Sequence, residues 1–166
     1  HILNETTMKT LYYAFIYPYI TYCLEIWGSA SKTRLNSIFK LQKLSCRIIS
    51  KSPPRTATLP LLRSLQILPL HELYQYLVLC FMYKGHHGRL PAPVRRFILV
   101  RSPRLHLVTR QIENLVLPRF KHTLSCFSLI CAGPKLWNSI LPHVEINCSP
   151  AIFRKSVKIY IISLNQ

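Results

Sequence analysis

The chain has 166 residues, of which 22 are Lys or Arg and 5 are acidic, giving a formal net charge of +17. Hydrophobic residues make up 49% and charged residues 16%, far from the composition of a disordered chain, and the length allows one domain or a small pair with a packed core. The acids are Glu5, Glu25, Glu72, Glu113 and Glu145, with no aspartate, which argues against two-metal polymerase, nuclease, glycosidase and aspartic-protease chemistry, since each needs paired carboxylates.

The chain opens at His1 without a basic stretch, apolar segment and small-residue cleavage site, so it reads as a cut piece of a longer protein with no signal peptide. Asn4 caps a first predicted helix with Glu5 in its first turn. Met8, Leu11, Tyr12, Phe15, Ile16, Tyr19, Ile20, Cys23, Leu24 and Trp27 then follow at steps of three and four residues until Gly28. Pro18 lies inside that pattern and is expected to kink or split the helix, because it lacks an N–H and crowds the preceding turn. The uncharged stretch 10–24 is shorter than the roughly 20 apolar residues of a membrane span and is rich in tyrosine, so it reads as a buried core helix.

A second helix is expected over 31–50. At about 100° per residue it separates Lys32, Lys40, Lys43, Arg47 and Lys51 from Leu35, Ile38, Phe39, Leu41, Cys46, Ile48 and Ile49, a basic stripe opposite an apolar one. A solvated face ordinarily mixes both signs. With no carboxylate among these cations, self-repulsion points to a polyanionic partner.

Ser52, Pro53 and Pro54 break the chain. Residues 59–68 read as a short apolar helix, and Pro69 opens another whose stripe of Leu70, Leu73, Tyr74, Leu77, Val78, Phe81 and Met82 runs to Gly85 or Gly88. His86 and His87, in a Gly-bounded loop with no carboxylate beside them, read as solvated rather than metal-binding.

Composition then shifts. Over 89–121, Arg95, Arg96, Arg101, Arg104, Arg110 and Arg119 face the single acid Glu113, with prolines at 91, 93, 103 and 118, a basic and poorly helical middle. The short apolar runs 115–117 and 127–131 predict a small β-hairpin. Gly133-Pro134 is expected to reset the chain before Trp137. Residues 149–164 should form a closing helix, with Pro150 in its first turn and Phe153, Val157, Ile161 and Leu164 on its apolar face. Trp27 and Trp137 sit in apolar contexts and read as core anchors rather than stacking platforms. The expected fold is mainly α, a helical bundle with a small antiparallel β-hairpin in the C-terminal half. It divides into a helical domain over 1–88 and a basic linker, hairpin and closing helix over 89–166.

Cysteines at 23, 46, 80, 126, 131 and 148 contain no CxxC pair, and in a chain able to build its own core they read as reduced, intracellular thiols. His122, Cys126 and Cys131 lie near one another without a zinc spacing, so buried free thiol is the better reading, and no metal or cofactor is expected.

Several strings carry a resemblance: LYYAFIYPYITYCLEIWG at 11–28, LQK at 41–43 followed by Arg47 and Ile48, FMYK at 81–84, TRQIENLVLPR at 109–119 and GPKLWNSILP at 133–142. In this order, over almost the whole chain, they resemble the C-terminal part of non-LTR retrotransposon reverse transcriptases of the jockey or chicken-repeat-1 type. In such elements the endonuclease and the polymerase fingers and palm lie upstream. The resemblance implies that this stretch is the thumb and the segment after it, which hold the RNA template and primer duplex.

The Tyr-x-Asp-Asp signature of the palm has no counterpart here, so no polymerase residue carries over and this chain by itself is not expected to be an enzyme. The cysteine-histidine knuckle of some such elements is also missing, which leaves nucleic-acid contact to surface Lys and Arg. The candidates are Lys40, Lys43, Arg47 and Lys51 on the second helix and Arg95, Arg96, Arg110 and Arg119 in the basic middle. Expected partners are RNA or an RNA/DNA duplex and the upstream reverse transcriptase domain, with no membrane, in the nucleus or cytoplasm. The alternative is a decayed mobile-element remnant, a structural helical module with no retained activity. A Cys/His nucleophile pair is weaker still, because no local motif places one.

Overall fold

The computed structural model describes residues 3–98, 114–118 and 128–164. Among them run the helices α1 (Glu5–Leu11), α2 (Tyr17–Thr21), α3 (Leu24–Trp27), α4 (Lys32–Ile49), α5 (Thr58–Ser64), α6 (Leu70–His86), α7 (Ala92–Ile98), α8 (Leu129–Ile140) and α9 (Pro150–Ser163), with a π-helical turn, Tyr12–Ile16, between α1 and α2. Packing divides the chain into two compact units, His1–Tyr74 and Gln75–Gln166, so the change of unit falls inside α6. Composition alone shifts later, after residue 88.

In the first unit α1 starts where Asn4 Oδ1 accepts the Thr7 N–H at 2.8 Å, satisfying one of the orphan donors of a helix start. Pro18 then splits the run as its chemistry requires. The Tyr17 N–H reaches back five residues to the Tyr12 carbonyl, Pro18 has no N–H to offer, and α2 begins around it. A second break follows at Cys23, which adopts the left-handed conformation (φ 51°) before α3. Gly28 ends α3 against Tyr74, whose ring occupies the space a Cβ there would need.

The core of this unit gathers Tyr12, Cys46, Ile49, Leu62, Leu65 and Ile67, with Met8, Tyr17 and Phe39 packed on it. Gln42 is fully buried among them on α4, and its Nε2 donates to the Leu68 carbonyl (2.9 Å) and the Tyr12 hydroxyl (3.2 Å). α5 and the start of α6 are joined by a two-pronged ion pair, Arg63 Nη1 to Glu72 Oε2 (2.9 Å) and Nη2 to Oε1 (2.7 Å).

Burial pushes the Tyr12 hydroxyl from 10.0 up to about 12, the Gln42 hydrogen bond only partly opposing it, and pushes the Cys46 thiol from 9.0 up to about 11. Both groups hold their protons in the folded state after the unfolded chain has released them. Their contribution is therefore complete below about pH 9, and stability falls as pH rises through Cys46 and then Tyr12. Denaturant unfolding measured from pH 8 to 11 should show a decline that is shallower in Cys46→Ala. A flat profile in the parent chain overturns this.

In the second unit Val78, Leu79, Met82 and Tyr83 of α6 are buried, as are Trp137 and Ile140 of α8 and Phe153, Val157 and Ile161 of α9. The last three belong to the stripe predicted for the closing helix, whereas its fourth member, Leu164, is exposed past the helix end. That helix starts where expected, with Pro150 at its first position and Ser149 as cap. Tyr83 stacks on Phe153 (centroids 4.2 Å apart) and donates its hydroxyl to the Cys148 carbonyl, tying α6 to the loop before α9. α7 packs against α8.

Several expectations are corrected. The β-hairpin is absent, for the described residues contain helices and no strand. Residues 129–131, one of its proposed arms, are the first turn of α8; Phe127 lies outside the described residues. Residues 115–117, the other arm, pair with a side chain instead of a strand. The Leu115 N–H donates to Asn138 Oδ1 (2.9 Å), and Asn138 Nδ2 donates to the Leu115 carbonyl (2.8 Å). A carboxamide offers the same donor and acceptor as a peptide group, so one Asn on α8 takes the place of a partner strand.

Gly133-Pro134 does not reset the chain but lies buried within α8, where Gly133 is needed because a Cβ would come 2.8 Å from the Met82 sulfur. The expected core helix of the first segment buries only Tyr12, Ile20 and Leu24, while Phe15, Tyr19, Tyr22 and Ile26 are exposed. The wide π-turn and the Cys23 break re-phase the chain, so its apolar residues no longer share one face. Trp27 is only half-buried, donating Nε1 to the Tyr22 carbonyl at 2.6 Å, whereas Trp137 is fully buried. Of the histidine pair only His87, exposed in the turn past the helix end, stands in the expected solvated loop. α6 runs on to His86, whose ring lies 5.5 Å from Trp137, and His87 packs on Tyr83 with its Nε2 3.1 Å from the Ile146 carbonyl.

Candidate nucleic-acid interface

The basic stripe of the first unit lies on α4 and the residues just after it. Lys40 is exposed, and so is Lys51, which stands past the helix end in the left-handed region (φ 53°). Lys43 is half-buried, with its Nζ 4.2 Å from the centroid of the Phe39 ring. Arg47 is half-buried and committed to the fold, its Nε and Nη2 both donating to the Thr56 carbonyl at 3.2 Å. Lys40, Lys43 and Arg47 thus share one side of α4, with Lys51 just past its end, but the four differ in freedom: Lys40 and Lys51 are open, Lys43 is held on an aromatic face, and Arg47 clamps the turn before α5.

The apolar face opposite is narrower than the periodicity predicts. α4 buries Gln42, Cys46 and Ile49, whereas Leu41 and Ile48, expected inside, are exposed along with Leu44. At about 100° per residue these three fall on one flank of the basic stripe, so an exposed apolar strip runs beside the cations. Leu44 and Ile48 line a groove of about 650 Å³ with Leu3 and Met8, and Arg47 and Lys51 stand on its wall.

In the second unit Arg95 and Arg96 are exposed on α7. Arg110 and Arg119 lie outside the described residues. Among the described residues the one ion pair between Lys or Arg and a carboxylate is Arg63–Glu72, so no described acid neutralises the stripe or the α7 arginines. No group of three His, Cys, Asp or Glu among the described residues is placed to hold a metal ion, and His122 and Cys126 fall outside them. Cys23, Cys46, Cys131 and Cys148 are free thiols. No described helix is long and apolar enough to cross a membrane.

Sequence reasoning missed the exposed aromatics. Phe15, Tyr19 and Tyr22 are 65%, 83% and 76% exposed, faces open to stacking that an uncharged, periodic run had assigned to the core. The one legible signal is the richness in tyrosine over leucine, since a tyrosine carries a polar tip that tolerates water. No family model, curated protein or solved structure matches the chain.

Proposed function

We propose that the chain is a non-catalytic segment that binds RNA or an RNA/DNA duplex through basic surfaces, corresponding to the thumb and following segment of a non-LTR retrotransposon reverse transcriptase. The observation that carries this reading is the surplus of exposed cations without acidic partners in a chain of net charge +17. Such a surface repels itself and is relieved by a polyanion, whose condensed counterions are released on binding. Lys40 and Lys51 would meet phosphates, and the open rings of Tyr19 and Tyr22 would stack on unpaired bases, as in single-strand binders. The upstream polymerase domain would be its second partner, and its free thiols suit a reducing compartment, the nucleus or cytoplasm.

The experiment is a titration of the full chain with labelled structured RNA at several salt concentrations. Lys40→Gln/Lys51→Gln should weaken binding to all sequences alike and lower the salt slope by roughly one unit per lysine, while melting holds or rises as repulsion is relieved. Arg47→Gln should instead lower the melting temperature, because it releases the Thr56 clamp. No preference for RNA over a charge-matched acidic polymer would defeat the reading.

Tyr19→Ala/Tyr22→Ala tests the stacking part separately. Each lost ring should cost about 1–3 kcal/mol of single-strand affinity with melting unchanged, since neither ring is buried. Equal loss on fully paired duplex would show that stacking is not their role.

A further inference from the structure

The second unit holds a cavity of about 310 Å³ that no expectation from the sequence anticipated. Its wall is aromatic and its rim is cationic. Tyr83 and Phe153 form the wall, stacked on one another and almost fully buried, and the Tyr83 hydroxyl is spent on the Cys148 carbonyl. Little of either ring is left for a ligand to stack on. What remains to recognise one is the rim of Lys84, Arg89 and Arg154, all exposed.

The fold brings these three cations together from two places. Lys84 stands near the end of α6, and the Arg89 N–H donates to the Lys84 carbonyl at 2.8 Å, so a backbone hydrogen bond fastens the Arg89 loop to Lys84. Arg154 comes from the first turns of α9, next to Phe153 in the wall. Among the described residues no carboxylate lines the cavity, and none of the three cations is in an ion pair. Glu145, the one acid among the described residues of this unit, is not part of it.

Three like charges around one concavity are unfavourable unless an anion sits between them. A carboxylate has one charge and two oxygens, which a single guanidinium fork satisfies. Two guanidinium groups and an ammonium together exceed that demand and match neighbouring phosphoryl groups, which offer oxygens and charge to all three cations at once. We propose that Lys84, Arg89 and Arg154 form a phosphate pocket that takes neighbouring phosphoryl groups, one contact to each cation, supplied by successive phosphodiesters of the backbone of a bound nucleic-acid strand. Only the source of the phosphate rests on the nucleic-acid reading above; the oxyanion chemistry of the pocket stands without it.

The test uses the full chain, the triple variant Lys84→Gln/Arg89→Gln/Arg154→Gln, and a control, Lys155→Gln/Lys158→Gln, which removes charge from the same helix outside the pocket. All are titrated with inorganic pyrophosphate, followed by calorimetry and thermal melting, and with labelled single-stranded RNA at several salt concentrations. The three rim side chains are exposed, so the triple variant should melt cooperatively near the parent temperature. Pyrophosphate should bind and stabilise the parent and the control, with affinity at least tenfold weaker in the triple variant. The RNA salt slope should fall by about two units in the triple variant, at roughly 0.7 per phosphate contact on a single strand. Absence of a pyrophosphate response in the parent, together with an unchanged RNA slope in the triple variant, overturns the pocket while leaving nucleic-acid binding intact. Pyrophosphate binding that the triple variant loses, in a chain that binds no RNA, keeps the pocket, assigns it to a free phosphate and overturns the nucleic-acid source.

Discussion

Trp137→Ala is expected to destabilise the chain by about 3–5 kcal/mol, the range found when a large aromatic is removed from a packed interior. Its ring is fully buried on α8, with Phe153 of α9 at 6.2 Å and His86 of α6 at 5.5 Å between centroids. One side chain thus serves as the common contact of three helices in the second unit. Gly133, one turn earlier on the same helix, leaves no room for a Cβ beside Met82, so this packing is already tight. Against a total stability of about 5–15 kcal/mol for an ordinary domain, such a loss leaves little margin.

The indole Nε1 is buried without an acceptor among the described residues. Trp137→Phe removes that unpaired donor, whose burial costs about 1–3 kcal/mol, while keeping most of the apolar area. It should therefore lose far less than the alanine variant. Chemical denaturation followed by circular dichroism compares the three chains. An alanine variant within about 0.5 kcal/mol of the parent, the scatter of ordinary surface changes, would falsify the assignment of Trp137 as the anchor. Trp27→Ala should cost less, since its ring is only half-buried and its one hydrogen bond is local.

Arg63→Met should cost about 3 kcal/mol, near the low end of the range for breaking a buried pair from one side because the arginine is partly exposed. The damage comes through Glu72, whose side chain is 1% exposed and keeps no full countercharge once the guanidinium fork is gone. His71 Nε2, 3.7 Å from Glu72 Oε1, is too far to replace it with a hydrogen bond. The double variant Arg63→Met/Glu72→Leu removes both charges and should recover much of the loss, as replacing a whole buried pair by apolar groups often does. A double variant as unstable as the sum of the single ones would show that packing, not the stranded carboxylate, sets the cost.

The helical character of the chain was legible because it is written in local chemistry. Asn4, Pro150 and the 3.6-residue spacing of Phe153, Val157 and Ile161 each act within a turn or two, and the observed α1 and α9 follow them. Pro18 likewise breaks its helix through its own missing N–H. The shortage of acids was also plain from composition, and with it the surplus of cations that the functional reading rests on.

Tertiary structure decided what periodicity could not. Residues 115–117 have the composition of a strand, but their backbone partner is the carboxamide of Asn138, more than twenty residues on, and no local pattern announces such a pairing. Gln42 holds a core position while Leu41, Leu44 and Ile48 remain outside; Leu68 and Tyr12 accept its N–H groups, which offsets part of the cost of burying the amide, while its Oε1 has no partner among the described residues. Arg47 was indistinguishable from Lys40 in the stripe until the Thr56 carbonyl claimed its guanidinium. Lys84, Arg89 and Arg154 stand apart in the sequence and meet only because α9 packs its Phe153 on Tyr83. Charge and helical period are properties of neighbouring residues, and these the sequence determined; which cations converge, and which are used up by the fold, depends on contacts between distant segments, and those form only when the chain packs.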